Sequence, residues 1–306
     1  MRELSKARGA LILAAILFST GGALIKGTTL DGWQVACLRS FVAALAFPVL
    51  VPAARRWPSG VEWLVGIAYA STLVLYVVAN KLTTAASTIF LQSTAPLYIL
   101  MLSPWLLSER ASRRDLPFLV AMGTGLTLLV IGEPAAQATA PDPRLGNALA
   151  LGSGVAWAFT VMGLRRLRRT DAAGNSTGGG TGAVVAGNVL AAAATLPVAW
   201  PIHGALHPDW TTIAFLGVVQ IALAYRLVTS GLARVSALDA SLLLIVEPVL
   251  NPVWAWALHG EQPGTLAVSG GAILAVATLV RAWSGARPAT VRAALAAPLK
   301  PPQDST

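Results

Sequence analysis

Long runs of apolar residues alternate with short polar segments along almost the whole chain. Each run is about twenty residues long, the length at which an α-helix crosses the hydrocarbon core of a bilayer. The pattern therefore predicts ten transmembrane helices, and their Ala, Gly and Leu content suits close helix packing in lipid. The predicted spans are 9–26, 33–53, 61–80, 84–107, 114–132, 144–164, 181–202, 209–231, 236–258 and 264–283.

The composition agrees with a membrane protein and with no soluble class. Hydrophobic residues make up 55% of the 306 residues, charged residues make up 11%, and the mean hydropathy is +0.67. Such a chain has too little polar surface to cover a soluble globule of this size. We therefore predict an all-α polytopic membrane protein. The single cysteine, Cys37, excludes an intrachain disulfide.

The basic residues predict the orientation in the membrane. With the N-terminus inside, seventeen Lys and Arg residues fall in inner segments, whereas only Lys26, Lys81 and Arg144 fall in outer ones. Cytoplasmic loops are enriched in Lys and Arg, so both termini are expected in the cytoplasm of a bacterial inner membrane. Because the net charge of +9 is spread over short loops, nucleic acid is not expected as a partner.

The two halves of the chain show an internal repeat. A shift of 152 positions places Pro96 on Pro248 and Ser108-Glu109 on Gly260-Glu261. Each repeat holds five spans, so the two halves must have opposite topology, as in secondary transporters built from inverted repeats. The predicted organisation is a first repeat at 1–132, an external connector at 133–143, a second repeat at 144–284 and a disordered cytoplasmic tail at 285–306.

The end of the second repeat resembles a known family. Glu247-Pro248, Pro252, Gly260-Glu261 and Gly270-Gly271-Ala272, with Arg234-Val-Ser-Ala-Leu before them, resemble the EamA repeat of the drug/metabolite transporter superfamily. The chain is also similar to bacterial inner-membrane exporters of amino acids, including aromatic ones. The resemblance implies secondary transport of small amphipathic solutes by alternating access. One departure is Ala95-Pro96, where many relatives carry Glu-Pro, so a symmetric pair of carboxylates is in doubt.

Glu247 is the first candidate for the site, because it lies near the middle of the predicted ninth span. A charged side chain at the centre of a bilayer is costly and is commonly functional. It could be the counter-ion for a substrate ammonium group or a proton carrier. Alternatively, its carboxyl group could be hydrogen-bonded and tie a kinked helix to its neighbour. The sequence leaves both possibilities open. Glu261, at the end of the same span, is expected to be interfacial.

Arg39 and the prolines form the second group of candidates. Arg39 lies about two turns from the outer end of its predicted span. It could snorkel to the bilayer surface, or it could face inward and hold a substrate carboxylate with its planar guanidinium. Pro96, Pro248 and Pro252 are expected to bend their helices. The remaining residues expected to line an aromatic, mildly polar cavity are Tyr76, Asn80, Gln92, Tyr98, Trp157, Asn188, Tyr225 and Trp254.

Several kinds of chemistry have no supporting pattern. His203, His207 and His259 lie near span ends without metal-ligand spacing, and the chain has no phosphate-binding loop. We therefore expect neither an enzyme nor a cofactor. The expected partners are an amino-acid-like solute and membrane lipid, with the protein acting as a monomer. Two other functions remain open: efflux of lipophilic cations, and a non-transporting membrane scaffold or sensor.

Overall fold

The computed structural model describes residues 2–106, 115–132, 135–172, 180–232, 243–244 and 246–285. The predicted tail beyond residue 285 and the start of the predicted ninth span lie outside these residues. The described part of the chain is helical, and an isolated bridge between Gln137 and Ala140 is its only β pairing.

The α-helices follow the predicted spans closely. A 3₁₀ turn at Pro52–Ala54 and a π-helical segment at Phe215–Leu223 supplement them. The α-helices are α1 Arg2–Ser19, α2 Gly21–Gly27, α3 Gly32–Leu50, α4 Gly60–Leu82, α5 Ala85–Gln92, α6 Ala95–Leu106, α7 Leu116–Ile131, α8 Pro143–Ala172, α9 Thr181–Ala199, α10 His207–Ala214, α11 Ala224–Leu232, α12 Val246–His259 and α13 Thr265–Gly285.

Seven helical stretches among the described residues are long and apolar enough to cross a membrane. They correspond to predicted spans one to four and six to eight. The predicted fifth and tenth spans appear as the shorter apolar helices Leu116–Ile131 and Thr265–Arg281. The ninth is described as helical at residues 243–244 and again from Val246. The chain is thus a polytopic helical membrane protein, while the number ten, the inverted repeats and the location of the termini remain predictions.

The chain at Pro96 is not the bent helix that the sequence predicts. The predicted fourth span is two helices, α5 and α6, with Ser93 and Thr94 between them. Pro96 is the second residue of α6, where its missing N–H needs no helical partner. The helix is therefore broken just before the proline. Gly154 of α8 packs against this break, since a Cβ there would lie 3.0 Å from the Leu91 carbonyl oxygen.

Two further spans are irregular. The predicted first span is divided into α1 and α2 next to Ser19, and the eighth passes from α10 through the π-helical segment into α11. π-Helical turns are rare and often occur at functional sites. In the second half of the chain, Pro248 is the third residue of α12 and Pro252 lies one turn later inside the same helix.

Helices from the two halves of the chain pack against each other throughout the bundle. Helix α4 packs on α8 and α9, α3 packs on α9 and the π-helical segment, and α1 packs on α11 and α12. At one side of the bundle, α7 packs along α13. The last contact is closest at Gly125 and Gly270, because a Cβ on Gly270 would lie 2.6 Å from the Gly125 carbonyl oxygen.

We expect Gly125→Val to lower the melting temperature of the detergent-solubilised protein, because the new side chain meets the Gly270 backbone and Leu274. Overpacking of this kind costs about 1–3 kcal/mol. Gly123→Val, on the same helix, is the matched control, since nothing lies within 4 Å of a Cβ there. Equal melting temperatures for the two variants would contradict the close contact.

Candidate functional site

A cavity of about 260 Å³ lies among the helices of both halves of the chain. In the described part of the chain, its wall combines aromatic rings, small polar groups and two charged side chains. The charged residues are Arg39 and Glu247, and the aromatic residues are Phe18, Tyr69, Tyr76, Phe90, Trp157 and Tyr225. The cavity also reaches the α5–α6 break through Gln92, Ser93 and Pro96, and the start of α12 through Pro248.

Arg39 faces the interior, so the alternative of snorkelling to the bilayer surface is wrong for this residue. Its exposed fraction is 2%, and Nη2 donates a long hydrogen bond of 3.4 Å to the Leu73 carbonyl oxygen. Nε has no hydrogen-bond partner among the described residues. A guanidinium carries five N–H donors, so this buried cation retains donors for an anionic group inside the cavity.

Glu247 lies on the α12 side of the same cavity and is partly buried. No ion pair joins it to any described cation. Tyr76 and Tyr225 each interact electrostatically with both Glu247 and Arg39. The two phenols therefore lie near both charged groups, and the cavity wall carries one positive and one negative side chain among the described residues. Ring contacts order this region, with Tyr225 edge-on to Phe18 at 5.3 Å and to Tyr69 at 5.5 Å.

Asn251 holds Tyr76 in place, and the sequence reasoning did not find it. Its Nδ2 donates to the Tyr76 hydroxyl oxygen at 3.1 Å, and the residue is completely buried. Gly22 makes room for the amide, because a Cβ on Gly22 would lie 2.5 Å from Asn251 Oδ1. An amide one helical turn after Glu247 was the available signal, since residues at i and i+4 share a face.

Gln92 is held in a similar way at the α5–α6 break. Its Nε2 donates to Ser153 Oγ at 2.7 Å, and Ser153 in turn donates to the Thr72 carbonyl oxygen at 3.2 Å. Ser153 and Thr72 are buried polar residues of α8 and α4. The chain of hydrogen bonds fixes the amide at the cavity wall, and its two supporting residues had no distinguishing pattern in sequence.

The structure brings together Arg39, Tyr76, Gln92, Trp157, Tyr225 and Glu247, with Pro96 and Pro248, and leaves five other predicted residues off the cavity wall. Periodicity alone does not show which neighbour a helix face meets. Asn188 Nδ2 bonds within α9 to the Val184 carbonyl oxygen, and Trp254 Nε1 donates to Ser19 Oγ at 3.0 Å. The other three are Asn80, which is fully buried, Tyr98, which packs on Ala158 and Met162, and Pro252.

A second charged cluster lies at the end of the bundle that contains Lys26, Lys81 and Glu261, which we call the Lys26 end. Lys26 Nζ lies 3.6 Å from Glu261 Oε1, and both side chains are almost completely buried. The sequence predicts an interfacial Glu261, and the structure shows that its side chain is buried in the protein and paired with Lys26. Burial raises the pKa of Glu261, and the Lys26 ammonium acts in the opposite direction. Among the described residues, no three His, Cys, Asp or Glu side chains meet as a metal site.

Comparison with known proteins identifies the family. The profile of the EamA-like transporter family matches residues 6–131 and again 144–282. An uncharacterized transporter of Archaeoglobus fulgidus is 27% identical over 276 residues, which cover 90% of this chain and 95% of the relative. A solved crystal structure shares the fold, with a TM-score of 0.61 and 21% identity over 93% of this chain and 99% of the other. The protein belongs to the EamA-like transporter family.

Proposed function

We propose that the protein exports small amphipathic solutes, amino acids including hydrophobic and aromatic ones, across the bacterial inner membrane by alternating access. The observation that carries the proposal is that Arg39 and Glu247 line one small cavity together with Tyr76 and Tyr225. A cavity of about 260 Å³ is smaller than the roughly 300–1,000 Å³ of sites for drug-sized ligands. The volume therefore favours a small solute.

The charge arrangement suits a zwitterion. A guanidinium binds a carboxylate through two parallel hydrogen bonds, and Arg39 has an unpartnered Nε. Glu247 would receive the ammonium group through a charge-assisted hydrogen bond. The rings of Trp157 and Phe90 would contact the apolar side chain of the solute. Because the cavity lies in a medium of low polarity, each of these charge contacts is stronger than it would be in water.

The broken helices support alternating access. In secondary transporters the site lies where discontinuous helices of inverted repeats meet, and here the cavity touches the α5–α6 break and the start of α12. We propose ten spans in two inverted repeats, with both termini in the cytoplasm and the monomer as the working unit. The two halves would rock about the segments at Pro96 and Pro248. Glu247 would serve as counter-ion or as proton carrier.

Efflux of lipophilic cations is the second candidate, because aromatic rings and one carboxylate also suit a cation. The buried Arg39 guanidinium on the same cavity acts against a purely cationic solute. Competition between amino acids and a cationic dye for binding separates the two functions. A scaffold or sensor would show no flux of any labelled amino acid or dye in sealed liposomes.

We expect Arg39→Gln to raise the KM of proteoliposome transport for amino acids by about 30-fold or more, because loss of a buried partner for a charged group costs about 2–5 kcal/mol. Transport of the corresponding amine, which lacks the carboxylate, should change little. Arg39→Lys is the matched control, since it keeps the charge and loses the planar fork. An equal loss for amino acid and amine would contradict a carboxylate contact.

We expect Glu247→Gln, which preserves the shape of the side chain, to weaken the transport of both amino acids and amines by about tenfold or more, because the partner of the ammonium group is lost. The measurement is initial flux in proteoliposomes at several pH values. If Glu247 also carries a proton, the pH dependence of flux disappears in the variant. Transport and pH dependence that match the parent protein would exclude both roles.

A further inference from the structure

The Lys26 end is closed by a set of polar contacts outside the cavity. Lys26 Nζ donates to the Thr83 carbonyl oxygen at 2.7 Å and to the Thr139 carbonyl oxygen at 2.5 Å. Both carboxylate oxygens of Glu261 accept from the Ala85 N–H, at 3.1 and 3.2 Å. The ion pair thereby joins the end of α2, the turn between α4 and α5, the connector before α8 and the loop after α12.

These contacts cross between the two segments that match the family profile. Lys26 and Ala85 lie in the first segment, and Glu261 lies in the second. Two neighbouring contacts also cross, from His259 Nε2 to the Ala23 carbonyl oxygen and from Thr83 Oγ1 to Asn147 Oδ1, both at 2.8 Å. By contrast, Lys81 Nζ donates to the Thr28 carbonyl oxygen at 2.7 Å within the first segment. Rocking that opens this end would separate Lys26 from Glu261, whereas the Lys81 contact can persist.

Two side-chain hydrogen bonds lie between the cavity and the ion pair. Glu247 and Glu261 are separated by the length of α12, which is about 20 Å at 1.5 Å per residue. Along that length lie the Asn251–Tyr76 and Trp254–Ser19 hydrogen bonds. The cavity is thus separated from the Lys26 end by a layer of hydrogen bonds and then by the buried ion pair.

The energetics of a buried ion pair suit a contact that must open repeatedly. The attraction between the charges is largely offset by the cost of removing them from water. Water that enters an opening vestibule restores the hydration of both groups, so separation changes the free energy little. A well-packed apolar seal regains no such hydration when it opens. A closed and an open state can then differ by only a few kcal/mol, as exchange between two states requires.

We propose that Lys26 and Glu261 are the outer gate residues of this transporter: their ion pair closes the cavity at the Lys26 end and separates each time the cavity opens to the outside. The inference rests on the proposed transport function and orientation. It implies that, when the cavity opens, the largest movement occurs at the Lys26 end, where the two segments that match the family profile meet. The close contact of α7 with α13 at Gly125 and Gly270, which also joins the two segments, would stay packed.

The test measures access to the cavity and uses no solute. Cys37 is first replaced by Ala, and Ser93, which lines the cavity, is replaced by Cys as a reporter. Intact cells are then treated with a membrane-impermeant thiol reagent. Glu261→Gln and Lys26→Met should each increase the rate of modification at position 93 by about tenfold, a usual size for a shift between two conformations.

Two controls and one double variant keep the result interpretable. Lys81→Gln removes a buried cation at the same end, and Asp115→Asn removes the ion pair with Arg281 at the opposite end, so neither should increase the rate. The double variant Lys26→Met with Glu261→Gln leaves no unpaired buried charge, so it remains testable if a single variant fails to fold. Its rate should equal that of either single variant, because both open the same contact.

The gate is overturned if none of the three variants increases modification at position 93, or if Lys81→Gln increases it equally. The outcome is independent of the solute. A protein that moves no amino acid or dye can still open at the Lys26 end, and that combination would reject the proposed function while retaining the gate. If the protein transports amino acids but none of the three variants changes access to position 93, the gate is rejected and the proposed function is retained.

Discussion

A buried charge must find its partners inside the protein, because the bilayer offers none. This constraint acts at two places in the bundle, the Lys26 end and the central cavity. At the Lys26 end the requirement is met: the ammonium and the carboxylate contact each other, the backbone of the turn between α4 and α5, and the backbone of the connector before α8. At the central cavity it is not met fully, since Arg39 keeps an unpartnered Nε and Glu247 forms no ion pair with the described residues. Charged groups whose hydrogen bonds are all made suit a contact that closes the cavity. Charged groups that lack partners suit a site that binds a solute.

The interruptions in the helices follow from the same constraint. A broken helix leaves backbone groups without helical partners, which is tolerated in a membrane only where protein or a polar cavity surrounds them. The α5–α6 break meets this condition on both sides: Gly154 packs against it from α8, and Gln92 beside it is bonded to Ser153. The break therefore brings polar groups to the cavity without exposing them to lipid. Its proline shapes the start of α6 and lines the cavity beside the break.

Two kinds of contact join the segments that match the family profile, and they differ in what they permit. Helices α7 and α13 approach each other closely at Gly125 and Gly270, where backbone atoms and the apolar Leu274 side chain leave no free space. At the Lys26 end the contact depends on two charged groups that water can solvate. The contact between α7 and α13 can stay packed, whereas the contact at the Lys26 end can open. A transporter that rocks between two states needs both in the same molecule.

The apolar runs and basic loops of the sequence determined the class of protein, because the length of a spanning helix and the exclusion of charge from lipid leave few alternatives. Glu247 and Arg39 were evident for the same reason: an ionisable residue in an apolar run is conspicuous. Only the tertiary structure decided which polar residues line or support the cavity, since Tyr69 and Ser153 carry no signal that separates them from ordinary packing residues. It also decided that Glu261, which looked interfacial, is buried. Its partner Lys26 lies more than two hundred residues away, and no local pattern could pair them.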